Sequence, residues 1–369
     1  MARTDSWHMS VALALAARGL GRVWPNPAVG CVVVRPESGI VIGRGCTQPG
    51  GRPHAETEAL SQAGAAAKGA AAYVTLEPCS HHGETPPCAE ALIEAGVARV
   101  VAAIEDPDPR VSGKGMARLN AAGIETSTGL LSDEARALNR GFFTRVALGR
   151  PMFTLKTATT LDGRIATAGR DSKWITGAPA RAKGHQLRAE HDGVMTSYGT
   201  VIADDPMLNC RVPGLESRSP IRVVVDGGLQ TPLSSQVVRT AREIPTWIVT
   251  RRNPDVARRE ALEQAGVDVL EVNGSADGRP DMVQAAELLG NRGLTRVLVE
   301  AGGIFAASLF KAELVDAVAW FRAAKVIGGD GLPAIGDLGL PGIYAMIGFE
   351  RISTLALGED VLETYSKPA

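Results

Sequence analysis

The chain has 369 residues, 45% of them hydrophobic and 21% charged, a make-up that fits a packed globular protein and excludes a disordered or fibrous one. It is longer than a single hydrophobic core usually supports, so two domains are expected. Lysine plus arginine (39) nearly cancels aspartate plus glutamate (40), which removes any whole-chain electrostatic reason to expect nucleic acid or an acidic membrane as partner.

The first twenty residues contain an apolar stretch broken by Ser10, Arg18 and Gly19, with no small-residue cleavage pattern after it, and read as an amphipathic helix and not as a signal peptide. No run approaches the roughly 18 apolar residues that cross a bilayer, so a cytoplasmic location is expected. Thiols stay reduced there, and five cysteines in a long chain point to metal binding or burial before a disulfide framework. Strand-length apolar runs at 28–34, 71–76 and 99–104 alternate with alanine-rich helical stretches at 56–67, 89–95 and 116–122. Gly69, Gly96 and Gly123 follow those stretches as left-handed caps. A helix over 133–146 stops before Leu148, Gly149, Arg150 and Pro151, where a strand over 152–157 begins. The boundary is therefore placed there, giving domains 1–149 and 150–369. Further strands are expected at 221–226, 246–250 and 296–300, so both halves read as α/β.

His54-Ala55-Glu56 and Pro78-Cys79, with Cys88 beyond an eight-residue gap, supply an imidazole, two thiolates and a carboxylate. Catalytic zinc takes three protein ligands and leaves the fourth position to water, whose pKa it lowers towards neutrality. Hydrolytic deamination needs such a water and a separate proton carrier, and Glu56, two residues from His54, suits that role. H-x-E with P-C-x-x-C is the general signature of zinc deaminases. Here the second cysteine is displaced from that pattern, so a loop and not one helical turn separates the pair, and Cys88 would gain from the positive end of the helix it opens. The alternative is a closed structural site with His81 or His82 as fourth ligand, which would leave His-Ala-Glu without a purpose. Cys31, Cys46 and Cys210 read as small core or near-surface hydrophobes and not as ligands.

Trp24-Pro25-Asn26-Pro27-Ala28-Val29-Gly30, Glu77-Pro78-Cys79-Ser80-His81-His82-Gly83, Thr85-Pro86-Pro87-Cys88 and Asp106-Pro107-Asp108-Pro109 resemble the deaminase half of the bifunctional riboflavin-biosynthesis deaminase/reductases. Lys156, Leu161-Asp162-Gly163-Arg164, Asp171 to Thr176, Ala203-Asp204-Asp205-Pro206 and Val299-Glu300-Ala301-Gly302-Gly303 resemble the reductase half, so nearly the whole chain is covered. The resemblance implies a cytidine-deaminase-like α/β/α domain followed by a dihydrofolate-reductase-like α/β domain. The implied reactions are zinc-dependent removal of the 2-amino group from 2,5-diamino-6-(5-phosphoribosylamino)pyrimidin-4-one, then NADPH-dependent reduction of the ribosyl group to give 5-amino-6-(5-phosphoribitylamino)uracil. Asn26 matches a family position at the pyrimidine pocket; between two prolines it also reads as a turn residue. Relatives often carry a basic residue between the cysteines, where this chain has Glu84, which leaves phosphate recognition at the first site open.

In the second half, Gly302-Gly303 between a strand and a helix offers backbone N–H groups to a pyrophosphate, although a Gly-Gly there is as often a plain tight turn. The resemblance implies a cofactor site formed by Ala158, Trp174, Thr200, Asp204, Gly302, Gly303, Ile304, Phe305, Ala306, Ala307 and Ser308. It implies a substrate site of Ser172, Arg188, Leu208, Arg211 and Glu300, the arginines suiting a phosphate dianion. Lys156, Asp204 and Glu300 are the candidates for moving the proton, and Arg251 or Arg252 for the 2′-phosphate of NADPH. The expected partners are a phosphorylated pyrimidine and, as an assembly open to the chain, a homo-oligomer; neither nucleic acid nor membrane is expected. Two rivals stand beside this reading. A deaminase of another nucleobase or of nucleic acid could use the same zinc set, but nucleic acid would need a basic track and stacking aromatics, and the chain has seven phenylalanines and four tyrosines. The second domain could also be a ligand-binding module without turnover.

Overall fold

The computed structural model describes residues 4–80, 86–108 and 112–368. The chain divides into two compact units, Met1–Gly149 and Arg150–Ala369.

The first unit opens on the helix Asp5–Ala17, where His8, Met9, Ala12 and Ala16 form a buried stripe at helical spacing. Its five-stranded sheet has the order Ile40–Cys46, Gly30–Arg35, Ala71–Val74, Arg99–Ala102, Glu125–Thr128. The first three strands are antiparallel neighbours and the last three parallel ones. Two glycines show how the layers stack. A Cβ on Gly30 would lie 1.9 Å from the carbonyl oxygen of Ala12, and one on Gly45 would lie 2.2 Å from that of Ala55. Gly45 pairs with Cys31, the neighbour of Gly30, so the two glycines face opposite sides of the pleat. One helix, Asp5–Ala17, therefore covers one face and another, Ala55–Ala63, the other, both at backbone contact distance. The core between them is mostly alanine and valine, as that close approach demands.

Four elements differ in detail from the expectation. The stretch 56–67 is α-helical only over Ala55–Ala63 and tightens to a 3₁₀ turn at Gly64–Ala67. The helices expected at 89–95 and 116–122 run over Cys88–Glu94 and Lys114–Ala121. The helix expected over 133–146 is two helices, Ser132–Leu138 and Arg140–Leu148, broken at Asn139. The cause is tertiary: Asn139 accepts from the backbone N–H of Ala28 through Oδ1 and donates from Nδ2 to the Ala28 carbonyl, both at 2.9 Å. This pair takes the place of a strand neighbour for Ala28 and fixes the turn carrying Asn26.

The second unit holds a nine-stranded sheet in the order Asp268–Val272, Thr246–Arg251, Ile221–Val225, Gly193–Ser197, Arg296–Val299, Met152–Thr159, Val315–Arg322, Asp360–Ser366, Glu350–Leu357. The first seven are parallel, and the C-terminal hairpin closes the sheet antiparallel. Ile221–Val225 is buried at every position, as a strand covered on both faces must be. Lys156 belongs to the central strand Met152–Thr159, and Glu300 directly follows its neighbour Arg296–Val299. Glu300 therefore sits where a strand of a parallel sheet ends and ligand crevices form, and Lys156 is level with it, since Leu155 pairs with Val299. Cys31 and Cys210 are buried and Cys46 half-buried, and all five cysteines are free. Among the described residues no helix is long and apolar enough to cross a membrane.

Candidate active sites

In the first unit His54 caps the helix Ala55–Ala63, Cys79 follows the strand Ala71–Val74 in a loop, and Cys88 opens the helix Cys88–Glu94. The fold brings their ligand atoms within 4.8 Å of one another, and among the described residues this is the one cluster of its kind able to hold a metal. Both sulfurs approach Nδ1 of the imidazole, Cys88 at 3.3 Å and Cys79 at 3.7 Å. The backbone N–H of Cys88 donates to the Cys79 sulfur at 3.3 Å, so the helix start faces the thiolate, as its dipole favours. Without a cation the two thiols divide their protons unequally. Cys79 is lowered to about 4, chiefly by accepting the hydrogen bond of Cys88, whose own pKa is pushed far up by that bond and by burial. One soft nitrogen and two thiols so arranged fit zinc, leaving a fourth position that no described side chain fills.

Glu56 lies in the first turn of the same helix, 3% exposed, and is not one of the three ligands. Burial first and the charge of Cys79 second raise its carboxyl to about 7. A buried carboxyl beside a three-ligand metal site can take and return a proton near neutrality. Asn26 donates through Nδ2 to the carbonyl of Gly51 at 3.1 Å, and Gly51 has φ +89° with no room for a Cβ, which would lie 1.9 Å from that nitrogen. Asn26 thus braces the loop that leads into His54. His81, His82 and Glu84 lie outside the described residues.

Glu77 opens the motif that carries Cys79, and no local signal gives it a role of its own. Its carboxylate is buried and accepts from four backbone N–H groups: Gly113 and Gly115 at 2.9 and 2.8 Å, Asp106 and Met116 at 3.2 and 3.3 Å. Gly115 also lies against the Pro78 carbonyl, 2.0 Å from where its Cβ would be. Glu77 therefore ties the start of the helix Lys114–Ala121 to the residues just ahead of Cys79. Glu77→Ala should lower the unfolding free energy of this unit by at least about 2 kcal/mol. It should also weaken zinc about tenfold, as losing a support behind a ligand does. Calorimetry and zinc competition with a chelating dye measure the two effects.

In the second unit a cavity of about 130 Å³ is walled by Lys156, Trp174, Arg181, Arg188, Arg211 and Glu300, among others. Glu300 receives the Arg188 guanidinium in bidentate fashion, Nε at 2.6 Å and Nη2 at 3.0 Å, and Lys156 Nζ at 3.3 Å. Burial would raise its pKa, but the charges of Arg188 and then Lys156 overcome this and hold it well below the carboxylate range. Arg188 spends Nη1 on the Asn209 carbonyl at 2.8 Å, and Arg211 donates to Asn209 Oδ1 at 3.2 Å. Four cations against one carboxylate leave the wall with a positive excess suited to a phosphate.

Of the expected residues, Ala158, Trp174, Arg188, Arg211, Lys156 and Glu300 share this cavity wall. Asp204 is exposed at the end of the helix Tyr198–Asp204 and stands apart from that wall, so of the three proton-transfer candidates the fold pairs only Lys156 and Glu300. Thr200 lies in the same helix, and Leu208 is buried with φ +52°. Ser172 is half-buried in the loop before Trp174. Gly302 caps the helix Gly303–Lys311. In that helix Ile304 is 72% exposed, Phe305 and Ser308 are half-buried, and Ala306 and Ala307 are buried. Arg251 and Arg252 are exposed, and Arg251 donates through Nε to the Gly227 carbonyl. Thr176, Arg181 and His185, also in the cavity wall, carry no local signal that separates them from surface residues.

Residues 151–362 match the model of the RibD C-terminal domain, and residues 2–104 that of the cytidine and deoxycytidylate deaminase zinc-binding region. The chain is 42% identical to the riboflavin biosynthesis protein RibD of Aquifex aeolicus over 97% of each chain. It is likewise 42% identical to that of Escherichia coli over 92% of each. Among solved structures it is similar to RibD of Acinetobacter baumannii, with a TM-score of 0.88 at 35% identity and 99% of each chain covered. It is also similar to a diaminohydroxyphosphoribosylaminopyrimidine deaminase/5-amino-6-(5-phosphoribosylamino)uracil reductase from Thermotoga maritima, with a TM-score of 0.85 at 33% identity and 98% of each chain covered.

Proposed function

This chain belongs to the RibD family of riboflavin-biosynthesis proteins, and from that premise we propose which residues carry its two reactions and on what substrates. It combines a deaminase with a reductase: a zinc-binding, cytidine-deaminase-like α/β/α domain precedes a dihydrofolate-reductase-like α/β domain. The first domain, residues 1–149, removes the 2-amino group of 2,5-diamino-6-(5-phosphoribosylamino)pyrimidin-4-one. The second, residues 150–369, reduces the ribosyl side chain with NADPH. A cytoplasmic location keeps Cys79 and Cys88 reduced for both steps. The observation that carries the reading is the convergence of His54, Cys79 and Cys88 beside the buried Glu56.

Zinc on those three ligands would supply an activated water. Glu56 takes one proton from the attacking water and gives it to the ring nitrogen, then takes the second from the hydroxyl now on the ring carbon and gives it to the departing ammonia, leaving the carbonyl. The amide of Asn26 reads the pyrimidine edge while its Nδ2 holds Gly51. In the second domain NADPH would supply the two electrons, its pyrophosphate meeting the helix start at Gly302 and Gly303. Arg188 and Arg211 meet the substrate phosphate, Glu300 keeps Arg188 in line, and Lys156 delivers the proton to the opening ribose.

One preparation of full-length protein tests the whole reading. Zinc is quantified, ammonia release is followed with the diaminopyrimidine, and NADPH oxidation with its deaminated product. Arg211→Ala should raise the apparent KM of the reductase step at least about tenfold and leave deamination unchanged. An unaltered KM removes Arg211 from the site, and deamination without NADPH oxidation in the parent protein removes the reductase assignment.

A further inference from the structure

Between the strand Arg164–Ala166 and the helix Ala178–Ala189 the chain has no regular structure, yet it carries Trp174 and Thr176 to the wall shared with Lys156, Arg188 and Glu300. A segment of this kind needs partners for its backbone groups. Charged side chains provide them at four consecutive residues. Lys325 Nζ donates to the carbonyls of Trp174 at 3.3 Å and Ile175 at 2.9 Å. Arg181 Nη1 donates to the Thr176 carbonyl at 2.7 Å, and the N–H of Gly177 donates to Asp360 Oδ2 at 2.6 Å. Lys325 and Asp360 reach the loop from 150 and 183 positions away in the chain, so its shape is imposed by tertiary contacts. Asp360, 5% exposed, starts the last strand, Asp360–Ser366. Through Gly177, which precedes the helix Ala178–Ala189, it also sets the entry of the element bearing Arg188.

Trp174 is held by its backbone, and the residue remains 64% exposed with the Arg181 guanidinium 4.6 Å from the ring centroid. A large aromatic so fixed and so bare is a stacking surface waiting for a flat ring. The hydrogen bonds from Lys325 and to Asp360 are charge-assisted, which makes them the strong class for holding a loop. We propose that Lys325 and Asp360 are positioning residues of the reductase site, fixing Trp174 as a platform for an aromatic heterocycle bound in this cavity. The inference rests on the reading of the cavity as that site. The ring is the nicotinamide of the cofactor or the pyrimidine of the substrate, and the two ligands are tested apart.

The experiment measures, on the full-length protein, dissociation constants for NADPH alone and for the deaminated pyrimidine alone, together with kcat and KM of reduction and the rate of deamination. Lys325→Met and Asp360→Ala should each weaken one of the two ligands about tenfold. The same variants should leave kcat at saturation within about twofold, since neither residue touches the reacting atoms. Lys325→Arg and Asp360→Asn, which retain a donor and an acceptor, should bind as the parent does, and deamination should be unchanged throughout. Trp174→Ala should reproduce the loss for the same ligand. Parent-like binding of both ligands by Lys325→Met and Asp360→Ala overturns the positioning role, and parent-like binding by Trp174→Ala overturns the platform. If Asp360→Ala unfolds the second unit, Lys325→Met, made at an exposed side chain, decides alone. Failure of the parent protein to bind either ligand overturns the reductase reading itself and is seen before any variant is compared.

Discussion

Glu56→Gln is expected to slow deamination about 10³-fold, the scale of a lost general acid–base, while the protein keeps its zinc and reduces the deaminated substrate at the parent rate. His54, Cys79 and Cys88 supply the metal ligands without Glu56, so an isosteric amide in its place removes proton transfer and leaves the donor set whole. The amide also fills the same buried space, so the helix Ala55–Ala63 keeps its packing. Metal analysis together with the two separate assays distinguishes the outcomes. A variant that loses zinc would show that Glu56 supports the site and does not carry the proton. One that slows both reactions would show that the substitution damages more than the first unit.

That site was the part of the molecule most open to reading from the chain alone, because its chemistry is local. His54 and Glu56 are two residues apart, and Cys79 and Cys88 bracket one loop, so residue type and spacing carry the pattern. The buried strands were equally legible, since each of Ile221–Val225 and Arg296–Val299 holds a run of three aliphatic residues, at 223–225 and 297–299. What the sequence concealed is long-range. Asn139 sits in a good helical pattern and breaks it only because Ala28, 111 residues earlier, needs both its hydrogen bonds. Arg188, taken alone, looks like a solvated arginine, and its burial follows from Glu300, 112 residues on. A family pattern assigns 304–307 to the cofactor as one run, whereas helical phase leaves Ile304 exposed and buries Ala306 and Ala307. Asp204 belongs to a recognisable motif, but only the fold shows that it is exposed at the end of the helix Tyr198–Asp204.

That pair, with Arg188, carries the second large effect. Glu300→Gln should destabilise the second unit by about 3–5 kcal/mol, because it leaves two poorly solvated cations without their counter-charge. The side chains of Glu300, Arg188 and Lys156 are only 12%, 14% and 23% exposed, so water cannot take over the role of the carboxylate. Reduction should fall at least about 10²-fold, since Lys156 and Arg188 lose the anchor that aims them into the cavity. The pH dependence follows from the direction of the shift. In the unfolded chain this carboxyl titrates near its ordinary value of 4.5, whereas in the folded protein it is held well below that by Arg188 and Lys156. The stability it contributes is therefore complete above about pH 5 and is lost as the pH falls below the unfolded value towards the folded one. Urea unfolding of the parent and the variant should show a constant gap from pH 7 to about 5 and a narrowing gap below it. A gap that stays constant down to about pH 3 would mean that Glu300 is not held ionised by its cations, and the ion-pair account of the second site would fall with it.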